Sequence, residues 1–170
     1  GYIVIDDSVL QRTGKDLPGT GKFYDHAEGE PVLGQDLVYA FYTDDKTSYP
    51  LVFRQYEKSE DQDDEEETKY DLAREIITEL EEEVGVPADT YLFDSWFAHD
   101  SGLIEHVESY GKDWIGPLRS NRKVTYANKE MRVDALEERI DKEEREVDDE
   151  TYKIWTKTLP VSKLGEVRLV

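Results

Sequence analysis

Cysteine is absent from the 170 residues, so disulfides and thiolate metal sites are excluded. Cations are scarce: 21 Lys and Arg stand against 41 Asp and Glu, a formal net charge of −20. Such a deficit normally argues against nucleic-acid partners, because affinity for DNA comes largely from cations that neutralise phosphates. The acid excess has a second cause, however. In molar salt the screening length falls to about 3 Å, acid–acid repulsion is suppressed, and an acidic surface mainly keeps a protein solvated. On that reading the charge reports a salt-rich habitat and leaves the ligand open. No apolar run approaches the roughly 20 residues of a membrane-spanning helix, and no secretory signal opens the sequence, so a cytoplasmic protein is expected. The three histidines, His26, His99 and His106, lack ligand spacing and predict no zinc site. Met131 is the sole methionine, the sequence opens on Gly1, and residues 167–170 are an apolar run, which together lead us to expect a segment of something longer.

What the sequence does hold is periodic. Aromatic residues make up 11% of it, and the recurrence of helix and strand periods predicts a folded domain with a substantial core. The organising stretch is residues 2–10, YIVIDDSVL. Tyr2, Ile3, Val4 and Ile5 are β-favouring and apolar on both sides of the pleat, as in a strand inside a sheet. The run then meets two adjacent carboxylates. Alternation puts Ile3, Ile5 and Asp7 on one side and Tyr2, Val4 and Asp6 on the other, so only one aspartate joins a given site. A second apolar strand closes on an acid at residues 91–94, YLFD.

Residues 11–35 hold five glycines and two prolines and read as a long functional loop. Within it LPGTGK, residues 17–22, approaches a nucleotide-binding P-loop, but Asp16 and Phe23 stand where that motif needs Gly and Ser/Thr, and no helix pattern follows. Residues 36–42 and 48–56 read as a hairpin with Pro50 suited to an edge, and residues 57–67 as a solvated acidic loop. The clearest helix is 68–84, with an apolar stripe of Tyr70, Ala73, Ile76, Ile77, Leu80 and Val84. Thr68 with Asp71 forms a capping box there, and Gly85 with Pro87 a stop. A strand at 90–94, a helix at 100–110 and a short strand at 112–118 follow. From Arg119 the character changes. Residues 119–123, RSNRK, are the densest basic cluster; 124–127 reads as a strand, 132–146 as a charged helix with a thin stripe (Val133, Leu136, Ile140), and 152–158 and 167–170 as strands.

This order predicts an α/β fold over residues 1–118, a mixed sheet of three antiparallel strands and then parallel strands, flanked by helices, with a second region over 119–170. The strand of Asp7 and the strand ending at Asp94 flank the first helix crossover, so they can lie side by side at the centre with the two acids close together. Ribonuclease-H-like nucleases use such acids to hold two metal ions about 3.5–4 Å apart. Carboxylates suit Mg²⁺ or Mn²⁺ because these hard cations prefer oxygen. Asp7 and Asp94 are therefore the candidate catalytic metal ligands, and Asp6, facing away, a bystander or supporting group. Arg119, Asn121, Arg122 and Lys123 are candidates for gripping DNA phosphates, and Tyr152 and Trp155 for stacking on a base. Two rival readings stay open. Ile5-Asp6-Asp7-Ser8 also resembles the opening of phospho-receiver domains, where a helix follows the first strand at once; and the chain can be a non-catalytic DNA- or protein-interaction module.

In their order and spacing, residues 3–8 (IVIDDS), Gly14 with Lys15, residues 24–26 (YDH), residues 93–97 (FDSWF) and residues 119–123 (RSNRK) resemble the DDE transposases of insertion sequences, particularly those of salt-loving archaea. The resemblance runs over essentially the whole chain. It implies an RNase H-like core that hydrolyses phosphodiester bonds at element ends and drives the freed 3′-hydroxyl into target DNA. It also implies two Mg²⁺ or Mn²⁺ ions, DNA as partner and a homodimer of the intact enzyme. The family's first acid, the Asp before a Ser/Thr at the end of the first strand, maps to Asp7, and its second, closing the fourth strand, to Asp94. The third, a Glu on a later helix in a Tyr/Arg/Lys-bearing motif, has no match, since Glu137, Glu138, Glu143 and Glu144 lack that pattern. The family carries a strand-rich insertion before this Glu, which residues 124–170 resemble, so the third acid is expected beyond Val170.

Overall fold

The computed structural model describes residues 1–14, 17–25, 29–57 and 67–170. The predicted acidic loop falls almost wholly outside the described residues, as do Lys15, Asp16 and His26. Two compact units make up the chain, Gly1–Pro117 and Leu118–Val170.

The first unit is built on a mixed sheet. Strand β1 (Tyr2–Gln11) is followed by β2 (Gly21–Asp25), β3 (Glu30–Thr43) and β4 (Ser48–Tyr56). β3 pairs antiparallel with β1 along its length, from Tyr2↔Thr43 to Gln11↔Gly34. It also pairs antiparallel with β2 and β4. β5 (Thr90–Phe93) then lies parallel beside β1, and β6 (Asp113–Ile115) parallel beside β5. Pro50 sits in β4, which pairs with β3 alone, at a register shift opposite Ala40/Phe41. The expected long loop over 11–35 is instead interrupted by β2 and the start of β3. Its glycines hid the strands, and one of them is required there. Gly34 pairs with both Gln11 and Gly21, and a Cβ on it would lie 2.6 Å from the Leu10 carbonyl oxygen.

Helix α1 (Lys69–Glu79) starts where the sequence says it should. Thr68 accepts from the Asp71 backbone while the Asp71 carboxylate accepts from the Thr68 backbone, which satisfies donors otherwise orphaned at a helix start. The chain continues through a wider π turn, Leu80–Val84, closed by Gly85 at φ 67°. That turn shifts the phase of the stripe and leaves Val84 exposed, while Leu72 joins Ala73, Ile76, Ile77 and Leu80 in the core. Helix α2 (Ser101–Ser109) is capped by Asp100, whose Oδ1 accepts from the Leu103 amide at 2.7 Å, and buries Leu103, Ile104 and Val107. The helix stripes and the inward sheet residues Ile3, Ile5, Val38, Ala40, Tyr91 and Phe93 form one core. Each large side chain in it contributes roughly 1.5–3 kcal/mol by leaving water.

The second unit is strand-rich. Strands β7 (Lys123–Tyr126), β8 (Lys129–Arg132), β11 (Lys157–Val161) and β12 (Gly165–Leu169) form a sheet in the order β12-β11-β7-β8. Strands β9 (Glu143–Val147) and β10 (Glu150–Ile154) form a separate hairpin. Val124, Leu136, Leu159 and Val161 make a small core, edged by Trp155, Tyr126, Met131 and Ile140. The long helix expected over 132–146 is only α3 (Val133–Glu137). Asp148 and Asp149 both take positive φ, 51° and 64°, and make the two-residue turn that pairs Val147 with Glu150. Such a turn matches strand twist, so the glutamates before it run extended despite their helix propensity.

The capping box gives a direct test. Thr68→Ala should lower stability by about 1 kcal/mol in urea unfolding at neutral pH. The Thr68 hydroxyl, the Thr68 amide and Arg74 hold the Asp71 carboxyl down at about 2. A carboxyl depressed below its unfolded value near 3.9 contributes fully above that pH and loses its contribution as pH falls through about 2. The wild-type advantage over Thr68→Ala should therefore shrink from pH 5 to pH 2; a difference that stays constant across that range contradicts the assignment.

Candidate functional site

The adjacent acids of β1 part at the pleat. Asp7 follows Ile3 and Ile5 to the helix-covered face, where its cross-strand partner is the buried Val38. Asp6 follows Val4 to the opposite face, level with Tyr39, whose hydroxyl donates to Asp6 Oδ2 at 3.4 Å. β5 keeps the same parity: Tyr91 and Phe93 are buried beside Ile3 and Ile5, and Leu92 lies beside Val4. The pairing ends at Ile5↔Phe93, and Asp94 is the first residue after β5. The charges of Asp7 and Asp94 both reach the Asp6 carboxyl.

Asp94 is held in place by its own turn. Its Oδ1 accepts from the Trp96 amide at 2.9 Å and the Phe97 amide at 2.8 Å, at the entry to the 3₁₀ turn Phe97–His99. The Trp96 ring stacks on Tyr70 of α1 with centroids 4.1 Å apart and planes 7° from parallel, and Phe97 is fully buried. Trp96 and Phe97 are thus the anchors that orient the carboxylate. Asp6 is oriented by the Asp7 amide, which donates to its Oδ1 at 2.9 Å. Burial pushes the Asp6 carboxyl above the ordinary range, the charges of Asp7 and Asp94 push the same way, and the hydrogen bonds from Asp7 and Tyr39 oppose them. Like charge is therefore concentrated where a cation would relieve it. The donors are carboxylate oxygens, which fit a hard divalent ion. They number two, and among the described residues no group of three or more His, Cys, Asp or Glu converges to hold a metal.

On the helix side Asp7 has a different partner. The Lys69 ammonium, from the first residue of α1, lies 2.5 Å from Asp7 Oδ2 and 2.6 Å from Asp36 Oδ2, and 5.7 Å from the centre of the Tyr56 ring. Burial pulls the ammonium down, but the hydrogen bonds to Asp36 and Asp7 outweigh it and leave Lys69 above its ordinary value. Sequence reasoning missed both Lys69 and Asp36. A signal was present, since a cation in the first turn runs against the helix dipole, and an acid opening the apolar strand DLVYAFY asks for a partner.

The basic cluster opens the second unit, and its members differ. Arg122 is buried and donates to the Ser162 carbonyl at 2.9 Å, so it serves the fold of that unit. Lys123 is exposed and bonded to Glu130 at 2.6 Å; Asn121 is exposed and Arg119 half-buried. Trp155 packs edge-on against Tyr126 at 6.4 Å, and the Tyr152 hydroxyl bonds Glu150. A groove along α1 offers no further chemistry, because its two arginines are paired with acids, Arg54 with Glu75 and Glu79 and Arg74 with Asp71 and Asp100. Among the described residues, antiparallel strands and not the helix of a phospho-receiver follow β1.

No helix among the described residues is long and apolar enough to cross a membrane. No curated protein matches the chain. A family model, the DDE superfamily endonuclease, matches residues 1–139, a span that takes in β1, β5, the three aspartates and the basic cluster. On that match, the chain belongs to the DDE superfamily of endonucleases.

Proposed function

We propose that this chain is the carboxylate-bearing, RNase H-like core of a DNA transposase, and that Asp6 and Asp94 are its first two ligands for Mg²⁺ or Mn²⁺. The observation that supports the reading is that β1 and β5 are parallel central neighbours paired up to Ile5↔Phe93, so that side-chain alternation carried one residue further would set Asp6 and Asp94 on one face, with the Asp94 charge acting on Asp6. The sheet order around them, β4 and β3 antiparallel to one side of β1 and β5 and β6 parallel to the other, supports it. A divalent ion bound there would supply Lewis acidity toward a phosphodiester. The protein's part is positioning: backbone amides fix both carboxylates before any ligand arrives, so no side-chain reorientation is spent on binding. The third carboxylate implied by the family resemblance has no counterpart among the described residues. Strand cleavage and transfer of a 3′-hydroxyl need that acid as well.

Arg119, Asn121 and Lys123 are the DNA contacts of this reading, and Arg122 supports them from inside. The acid excess fits a protein that works in concentrated salt, where steering by distant charge is screened and local contacts decide.

Two outcomes test the reading. In the intact protein, Asp6→Asn and Asp94→Asn should each abolish Mn²⁺-dependent nicking of element-end DNA while DNA binding stays measurable, and Asp7→Asn, which removes a supporting ion pair, should slow nicking without abolishing it. Loss of nicking in Asp7→Asn with cutting preserved in Asp6→Asn would refute the assignment. In anisotropy titrations across salt concentrations, Arg119→Ala and Lys123→Ala should each reduce the slope of log K against log salt by about 0.9, one phosphate contact apiece. Slopes equal to wild type remove these residues from the interface.

A further inference from the structure

The Asp7–Lys69–Asp36 cluster has no part in the metal reading so far, yet it is built into the sheet beneath it. The side chains of Lys69, Asp7 and Asp36 are only 18%, 25% and 5% exposed. A buried ion cluster is a poor source of stability, because desolvation offsets most of its attraction, and a well-packed apolar group is often as good. Lys69 also stands at a helix start, where the dipole disfavours it. What the arrangement does achieve is geometric. One ammonium ties the first turn of α1 to β1 through Asp7 and to β3 through Asp36, and the β1 anchor is one peptide unit from Asp6.

We propose that Lys69 is a positioning residue for the metal site: by clamping Asp7 and Asp36 on the helix side of the sheet, it holds the β1 backbone where Asp6 faces Asp94. This rests on the reading of Asp6 and Asp94 as ligands. Lys69 touches neither metal nor DNA in this scheme; it acts through Asp7. Without the ammonium, two carboxylates that now share one cation face each other uncompensated, and their separation displaces β1 at the residue next to the ligand.

The test is Mn²⁺ affinity of the intact protein by calorimetry, with circular dichroism to verify folding. Lys69→Met should weaken Mn²⁺ binding about tenfold or more, since loss of a residue that orients a metal ligand typically costs about 10–100-fold in affinity, and Lys69→Arg should restore it to within a few-fold of wild type. In an Asp7→Asn/Asp36→Asn background, where no charges are left to repel, Lys69→Met should cause no additional loss. If Lys69→Met does not fold, Lys69→Gln, which keeps a donor and drops the charge, is read in its place. An unchanged affinity in a folded Lys69 variant overturns the proposal and leaves the metal reading intact, as does a loss that persists undiminished in the Asn background. Wild-type protein that binds no Mn²⁺ overturns both.

Discussion

The pleat of β1 is the constraint from which the rest follows. Successive side chains on a strand point to opposite faces, so Asp6 and Asp7, adjacent in sequence, enter different environments. One face is covered by helices, and there Asp7 joins an ion cluster with Lys69 and Asp36. On the other face Asp6 meets Tyr39, and the charge of Asp94 reaches it. A single residue of slip in the β1–β5 register would exchange these roles and put Ile3 and Ile5 in water. The burial of Ile3, Ile5, Tyr91 and Phe93 is therefore what fixes the chemistry of their acidic neighbours.

The helix side also fixes the second acid. Tyr70 of α1 stacks on Trp96, Phe97 fills the core behind it, and the turn they hold presents two amides to Asp94. Helix α1 thus acts on both acids, through Lys69 at its first residue and Tyr70 at its second. Its own start depends on Thr68 and Asp71. Local capping, helix packing and site geometry are consecutive links in one chain.

Much of this was legible in the sequence, and for identifiable reasons. The central strands, α1 with its capping box, α2 and the hairpin of β3 with β4 carry strong periods and unambiguous stops. Even the parity of Asp6 and Asp7 could be read from alternation. What could not be read was the register between β1 and β5; a register is a property of two strands and of the core they share. β2 was hidden by glycines, including Gly34, whose lack of a side chain admits the Leu10 carbonyl. The helix expected over 132–146 failed because glutamate propensity is weak beside a tight turn at Asp148 and Asp149. Arg122, a candidate phosphate contact by sequence, is buried and bonded to the Ser162 carbonyl, a placement that a cluster of basic letters does not reveal.

The central claim is that the β1–β5 register puts a divalent cation between Asp6 and Asp94 on the face away from the helices. The most direct measurement is the anomalous difference map of crystals of the intact protein soaked in Mn²⁺. A peak within coordination distance of the Asp6 and Asp94 carboxylates, with Lys69 still on Asp7, is the expected result. A peak bonded to Asp7 on the helix side, with Lys69 displaced, would contradict it.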